Sequence, residues 1–153
     1  MNIAKKILDK AGTYRDYSAK NLSAMIQVPA FSGTEKERIQ LIKRLCQEAG
    51  MEDLRIDGLG SLIGRVGKGS KNLVFDAHID TVGVGDESQW KSPVFSGRIA
   101  DGLVHGRGAT DQLGGAAAMI SAARILKDLA YSGDFSVWFS FTVLEEDCDG
   151  LCW

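Results

Sequence analysis

The sequence has no excess of positive charge: 18 Lys and Arg stand against 20 Asp and Glu, a formal net charge of -2. The basic residues are scattered, so nothing resembles the phosphate-neutralising stripe that a nucleic-acid partner requires. No export leader is expected, because Lys5 and Lys6 are followed by no sustained apolar run. The longest apolar stretch, residues 135–144, is broken by Ser136, Ser140 and Thr142. It is about half as long as a bilayer-crossing helix. No membrane partner is expected, and the cytoplasm is the expected location. The three cysteines, Cys46, Cys148 and Cys152, are too few and odd in number for a secreted disulfide framework. Internal repeats and low-complexity segments are absent too.

What is present is an ordinary globular composition, 44% hydrophobic and 25% charged over 153 residues, enough for one domain with a core. Helical and strand-like patterns alternate, which points to α/β architecture. Residues 1–28 read as helical with a break near Ala11-Gly12-Thr13, and Pro29 disfavours helix at Val28. Thr34-Glu35-Lys36-Glu37 has the form of a capping box. Ile39, Ile42, Cys46 and Ala49 then recur at helical spacing, with Gly50 placed to end the helix. Strand patterns follow at 54–57, 62–66 and 73–79, and 98–105 predicts a strand or hairpin around Asp101-Gly102. Thr110 or Asp111 is expected to cap a helix that places Leu113, Ala116, Ala117, Ile120 and Ala123 on one face. Residues 135–144 read as a central strand buried on both faces, and only nine residues follow it.

Three features could carry chemistry. His78-Ile79-Asp80 ends a strand pattern; alternation puts both polar side chains on one side, where a carboxylate can orient an imidazole toward a metal. Asp111 follows the Gly106-Arg107-Gly108 turn at a helix start, where capping is the plain alternative. A nucleotide loop is disfavoured there, because Asp111 stands where the third glycine should be. Glu145-Glu146 follows the apolar strand; adjacent carboxylates at such a place are unfavourable unless a cation or solvent neutralises them. His78 and Glu145 both lie past the carboxyl ends of strands, where open α/β sheets place ligand sites. One imidazole with several carboxylates suits zinc and is poor for copper or an iron–sulfur cluster.

His78-x-Asp80, Gly106-Arg107-Gly108-Ala109-Thr110-Asp111 and Glu145-Glu146 together resemble the signature of the M-twenty metallopeptidases. That family includes acetylornithine deacetylase, succinyl-diaminopimelate desuccinylase, aminoacylase and carboxypeptidase G. Pro29-Ala30-Phe31-Ser32-Gly33 and Trp90-x-x-Pro93-x-Phe95 are lesser matches. The segments 77–86 and 145–153 are most similar to a subgroup of hydrolases associated with selenium metabolism. The resemblance implies a zinc-exopeptidase-like sheet flanked by helices, with residues 1–153 forming the N-terminal part of a catalytic domain. It further implies that the rest of that domain and a lid or dimerisation domain are expected outside these residues.

It also implies roles. Asp111 would bridge two zinc ions, His78 would bind one and Glu146 the other, while Asp80 orients His78. Glu145 would be the general base acting on a zinc-activated water that attacks a C–N amide or peptide bond. Cobalt or manganese could replace zinc. Substrates would be small acylated amino acids or peptide-like molecules, and the full-length form would be a homodimer.

Two departures stand out. Leu113 occupies a position where family members usually have lysine; a change in packing or in the contacts behind the ligands is expected, without loss of the metal. The family pattern has a further acidic ligand and a distal histidine, expected outside residues 1–153, so within these residues each ion would keep two protein ligands where catalytic zinc ordinarily has three. The chain alone is therefore expected to bind zinc weakly and to show little or no activity. The alternative is a non-catalytic remnant acting as a folded or partner-binding fragment. A phosphoesterase reusing His-x-Asp is disfavoured by the other two motifs. His105 is read as a strand residue, Arg107 as the partner of a neighbouring acid, and Trp90 and Phe95 as packing beside the site. Cys148 and Cys152 are read as structural thiols and not as a third metal site.

Overall fold

The computed structural model describes residues 3–149. The order is α1 (Ile3–Thr13), α2 (Arg15–Ile26), α3 (Lys36–Glu48), β1 (Glu52–Ile56), β2 (Leu62–Val66), β3 (Lys71–His78), β4 (Arg98–Ala100), β5 (Leu103–His105), α4 (Gly114–Asp128) and β6 (Phe135–Thr142). One mixed sheet runs β1-β2-β6-β3, and β4 with β5 forms the expected hairpin. β6 is antiparallel to β2 and parallel to β3, with His78 level with Thr142. That parallel register brings the carboxyl ends of β3 and β6 out side by side at one edge of the sheet.

The two amphipathic helices bury the stripes that their spacing predicts. On α3 these are Ile39, Ile42 and Cys46, and on α4 Ala116, Ala117, Ile120 and Ala123, all at most 3% exposed. They join Val137, Phe139 and Phe141 of β6 in one core. The small residues of α4 let it approach the sheet closely. Gly50 ends α3 with φ of +83°, a left-handed conformation that glycine enters without steric cost. Burial pushes the thiol of Cys46 above its ordinary pKa and keeps it unreactive.

Two expectations are corrected. Thr34 does not build a capping box: its hydroxyl bonds the backbone of Phe31, and the residue preceding the helix is Glu35, whose side chain makes no cap. β6 is interior by strand pairing and buries its Val137, Phe139 and Phe141 face, whereas on the opposite face Ser136 alone is buried. Trp138, Ser140 and Thr142 on that face are half-buried, and Trp138 and Ser140 line an open cleft with Ile63 and Val74. Among the described residues, no helix is long and apolar enough to cross a membrane.

Candidate metal centre

His78 is the last residue of β3, and its imidazole is almost fully buried. Its Nδ1 faces the main-chain oxygen of Asp80 at 3.1 Å, while Asp80 Oδ1 stands 3.5 Å away. The main-chain oxygen is thus the nearer orienting group, where the sequence suggested the carboxylate. Asp80 is fully buried, and its Oδ2 accepts from Ser32 Oγ at 2.7 Å and from the Glu146 amide at 3.1 Å. Asp80 therefore ties the end of β3 to the segment after β6.

Asp111 does not cap a helix. Residues 109–113 form an irregular turn in which Asp111 is extended (φ -115°, ψ 101°), so α4 begins only at Gly114. The extended backbone aims the Asp111 carboxylate at His78 instead, with Oδ1 2.9 Å from Nε2. Gly108 makes the turn possible: its φ is +80°, and a Cβ there would sit 2.5 Å from Thr81 Cγ2. Leu113 is completely buried, so at this position the chain has a core residue, as expected.

Glu145 follows Leu144, whose φ of +61° lies in the left-handed region. Leucine enters that region at a cost of roughly 1–2 kcal/mol. The turn brings Glu145 Oε2 to 3.7 Å from His78 Nε2. His78, Asp111 and Glu146 each offer a ligand atom within 4.8 Å of the others. So His78, Asp80, Asp111, Glu145 and Glu146 meet at one edge of the sheet. The imidazole is buried, whereas Asp111 and Glu145 keep 75% and 58% of their side chains open to solvent.

Burial alone would lower the His78 pKa, but the Asp111 hydrogen bond and the charges of Glu145 and Asp80 outweigh it, so the pKa stands above the ordinary value. Among the described residues, no lysine or arginine pairs with Asp111, Glu145 or Glu146. An oxygen-rich, net-negative cluster around one imidazole fits a divalent cation of the zinc type.

Sequence reasoning missed the support beneath this cluster. Arg38 on α3 is fully buried; Nε donates to Val28 O at 2.8 Å and Nη1 to Ile79 O at 2.6 Å. Burial lowers its pKa to about 10, partly offset by Asp80 and Glu35, so it stays charged at neutral pH. The signal was available: Arg38, Ile42 and Cys46 share one helical stripe, and a charge at a core position needs partners.

His105 lies at the end of β5, as expected. Arg107 has no acidic partner among the described residues; its guanidinium stacks 5.0 Å over Trp90, whose indole N–H holds Val84 O. Phe95 meets Phe31 edge-on. Cys148 is exposed, and Cys152 lies outside the described residues, so the reading of that pair has no structural counterpart.

Comparison with known proteins places the chain in a family. The chain is 40% identical to the uncharacterized protein YgeY of Escherichia coli K12, over 97% of this chain and 37% of that protein. It is 31% identical to succinyl-diaminopimelate desuccinylase of a Bradyrhizobium strain, over 80% of this chain and 34% of the enzyme. The chain thus spans little more than a third of the length of these relatives. The fold superposes on human carnosine dipeptidase 1 with a TM-score of 0.80 at 16% identity, covering 99% of this chain and 36% of that one. The model of Peptidase family M20/M25/M40 matches residues 74–152, which include every group of the cluster above except its Ser32 and α3 supports. The chain belongs to this peptidase family, the M-twenty metallopeptidases.

Proposed function

We propose that this chain is the metal-binding part of a hydrolase that cleaves C–N amide or peptide bonds in small acylated amino acids or dipeptide-like substrates. The observation that carries this reading is the convergence of His78, Asp111 and Glu146, from three separate segments, within 4.8 Å. His78 Nε2 with Asp111 would hold one ion, and Glu146 with Asp111 a second. Zinc is the favoured metal, with cobalt or manganese as substitutes. A bound ion of this kind makes water more acidic and polarises a substrate carbonyl.

The chain's own groups supply the rest. The Asp80 main-chain oxygen, with the carboxylate behind it, fixes the imidazole so that Nε2 points into the cluster. Glu145, the acidic side chain left free of a ligand role, accepts a proton from the attacking water and returns it to the departing nitrogen. Its 58% exposure leaves room for substrate. The Asp80–Glu146 bond keeps the two carboxylate-bearing segments in register.

With two protein ligands per ion, this stretch alone would hold metal weakly and turn over little substrate. The remaining ligands, a lid and a dimer contact belong, in this reading, to the portion that the longer relatives have. Action in the cytoplasm is part of the same proposal.

The test is a chimera in which residues 1–149 replace the matching segment of the Bradyrhizobium desuccinylase, assayed on N-succinyl and N-acetyl amino acids and dipeptides. Metal-dependent hydrolysis is expected, with kcat lowered about 10²–10⁴-fold by Glu145→Gln. Hydrolysis indifferent to Glu145→Gln would contradict the assignment.

A further inference from the structure

The two strand ends that carry the cluster are both held by the start of α3. Arg38 Nη1 donates to Ile79 O at 2.6 Å, and Ile79 is the residue between His78 and Asp80. Glu35 Oε1 accepts from the Leu144 amide at 3.0 Å, and Leu144 immediately precedes Glu145. Both side chains are buried, Arg38 completely and Glu35 to 6% exposure. Neither touches the cluster's ligand atoms.

Their reach extends to the segment before the helix. Arg38 Nε holds Val28 O, while Ala30 O accepts from the Thr81 amide at 3.0 Å. Phe31 bridges Thr81, and Ser32 bonds the Asp80 carboxylate. The 28–32 segment, the end of β3 and the end of β6 are thus joined through two side chains three residues apart. Neither contact serves the helix, which takes no side-chain cap from Glu35. A fold in need only of a core would place an apolar side chain at 38, beside Ile42 and Cys46. The left-handed Leu144 also needs an acceptor for its amide, because β6 pairing stops at Thr142.

We propose that Glu35 and Arg38 are positioning residues that set the distance between the His78–Asp80 strand end and the Glu145–Glu146 strand end. Metal affinity then depends on them although they bind no metal. The guanidinium is suited to this because its rigid planar fork holds two backbone oxygens in fixed directions, whereas the donors of an ammonium rotate about a compact point charge. Glu35 acts through one oxygen, so glutamine can substitute for it and alanine cannot. The inference rests on the cluster being a cation centre.

The experiment titrates the full 153-residue chain with Co²⁺, followed by visible absorption, alongside Glu35→Gln, Glu35→Ala and Arg38→Lys. Each metal-free chain is also melted in the presence of chelator. Wild type should bind saturably. Glu35→Ala and Arg38→Lys should weaken Co²⁺ binding about 10- to 100-fold and alter the band shape, with Glu35→Gln close to wild type. Affinities and bands that do not move in Glu35→Ala and Arg38→Lys would overturn the proposal. So would losses that merely follow the metal-free melting temperatures, Glu35→Gln included. If Arg38→Lys does not fold, the contrast between Glu35→Gln and Glu35→Ala decides. A wild-type chain that takes up no Co²⁺ would overturn the cation centre itself, and the positioning role with it.

Discussion

At the scale of single residues, the site is a buried imidazole facing more open carboxylates, and its charge state follows from that arrangement. The His78 pKa is raised in the folded chain, chiefly by Asp111 acting against burial. A base with a raised folded pKa contributes stability that is complete below its unfolded value of about 6.5 and fades as pH rises through the folded value. In a metal-free NMR titration the His78 ring should therefore show a midpoint above about 6.5, and Asp111→Asn should lower it. A midpoint insensitive to Asp111→Asn would contradict the contact. Gly108 offers a second check, because its φ of +80° and the nearness of Thr81 leave no space for a methyl group. Gly108→Ala should cost about 1–3 kcal/mol in urea unfolding. A neutral result would mean that the turn before Asp111 is not built as described.

Among the elements, the long-range ties sit where helices meet. Asp128 at the end of α4 accepts from Lys10 of α1 at 3.0 Å and from Tyr14 between α1 and α2. The Tyr14 and Lys10 bonds hold the Asp128 carboxylate below its usual pKa. The stability it adds is present above the unfolded value of about 3.9 and is lost as pH falls through the folded one. Asp128→Asn should lower the melting temperature at pH 7, and the difference from wild type should shrink as the pH is lowered below the unfolded value of about 3.9. A difference that persists in acid would assign the effect to packing. These elements were legible in the sequence to the extent that periodicity governs them. Residues 62–66, the hairpin around Asp101-Gly102 and the buried stripes of α3 and α4 all occur where the pattern put them. Cap chemistry was not legible, because a Thr34 or Asp111 side chain has competing partners that only the tertiary structure reveals. Phe31 took the first and His78 the second. The site's motifs stood out as residue types, but Glu35 and Arg38 did not, since their partners are backbone atoms of distant segments.

On the scale of the whole molecule, the parallel pairing of β3 with β6 determines where everything functional emerges, and it leaves β3 at the edge of the sheet. Leu73, Val74 and Phe75 on that edge are 42%, 62% and 46% exposed. An apolar, unpaired edge strand invites pairing with other chains. The isolated chain should therefore associate with rising concentration in light scattering, and Val74→Lys should suppress this without loss of the fold. A monomer at all concentrations would show that the edge is protected.

The centre itself is open to direct inspection by an anomalous difference map from crystals of this chain soaked in zinc. The expected result is density about 2.0–2.2 Å from His78 Nε2 and an Asp111 oxygen, with a second position beside Glu146 and Asp111. Zinc bound elsewhere, with no density between these side chains, would contradict the assignment of the cluster as a metal centre.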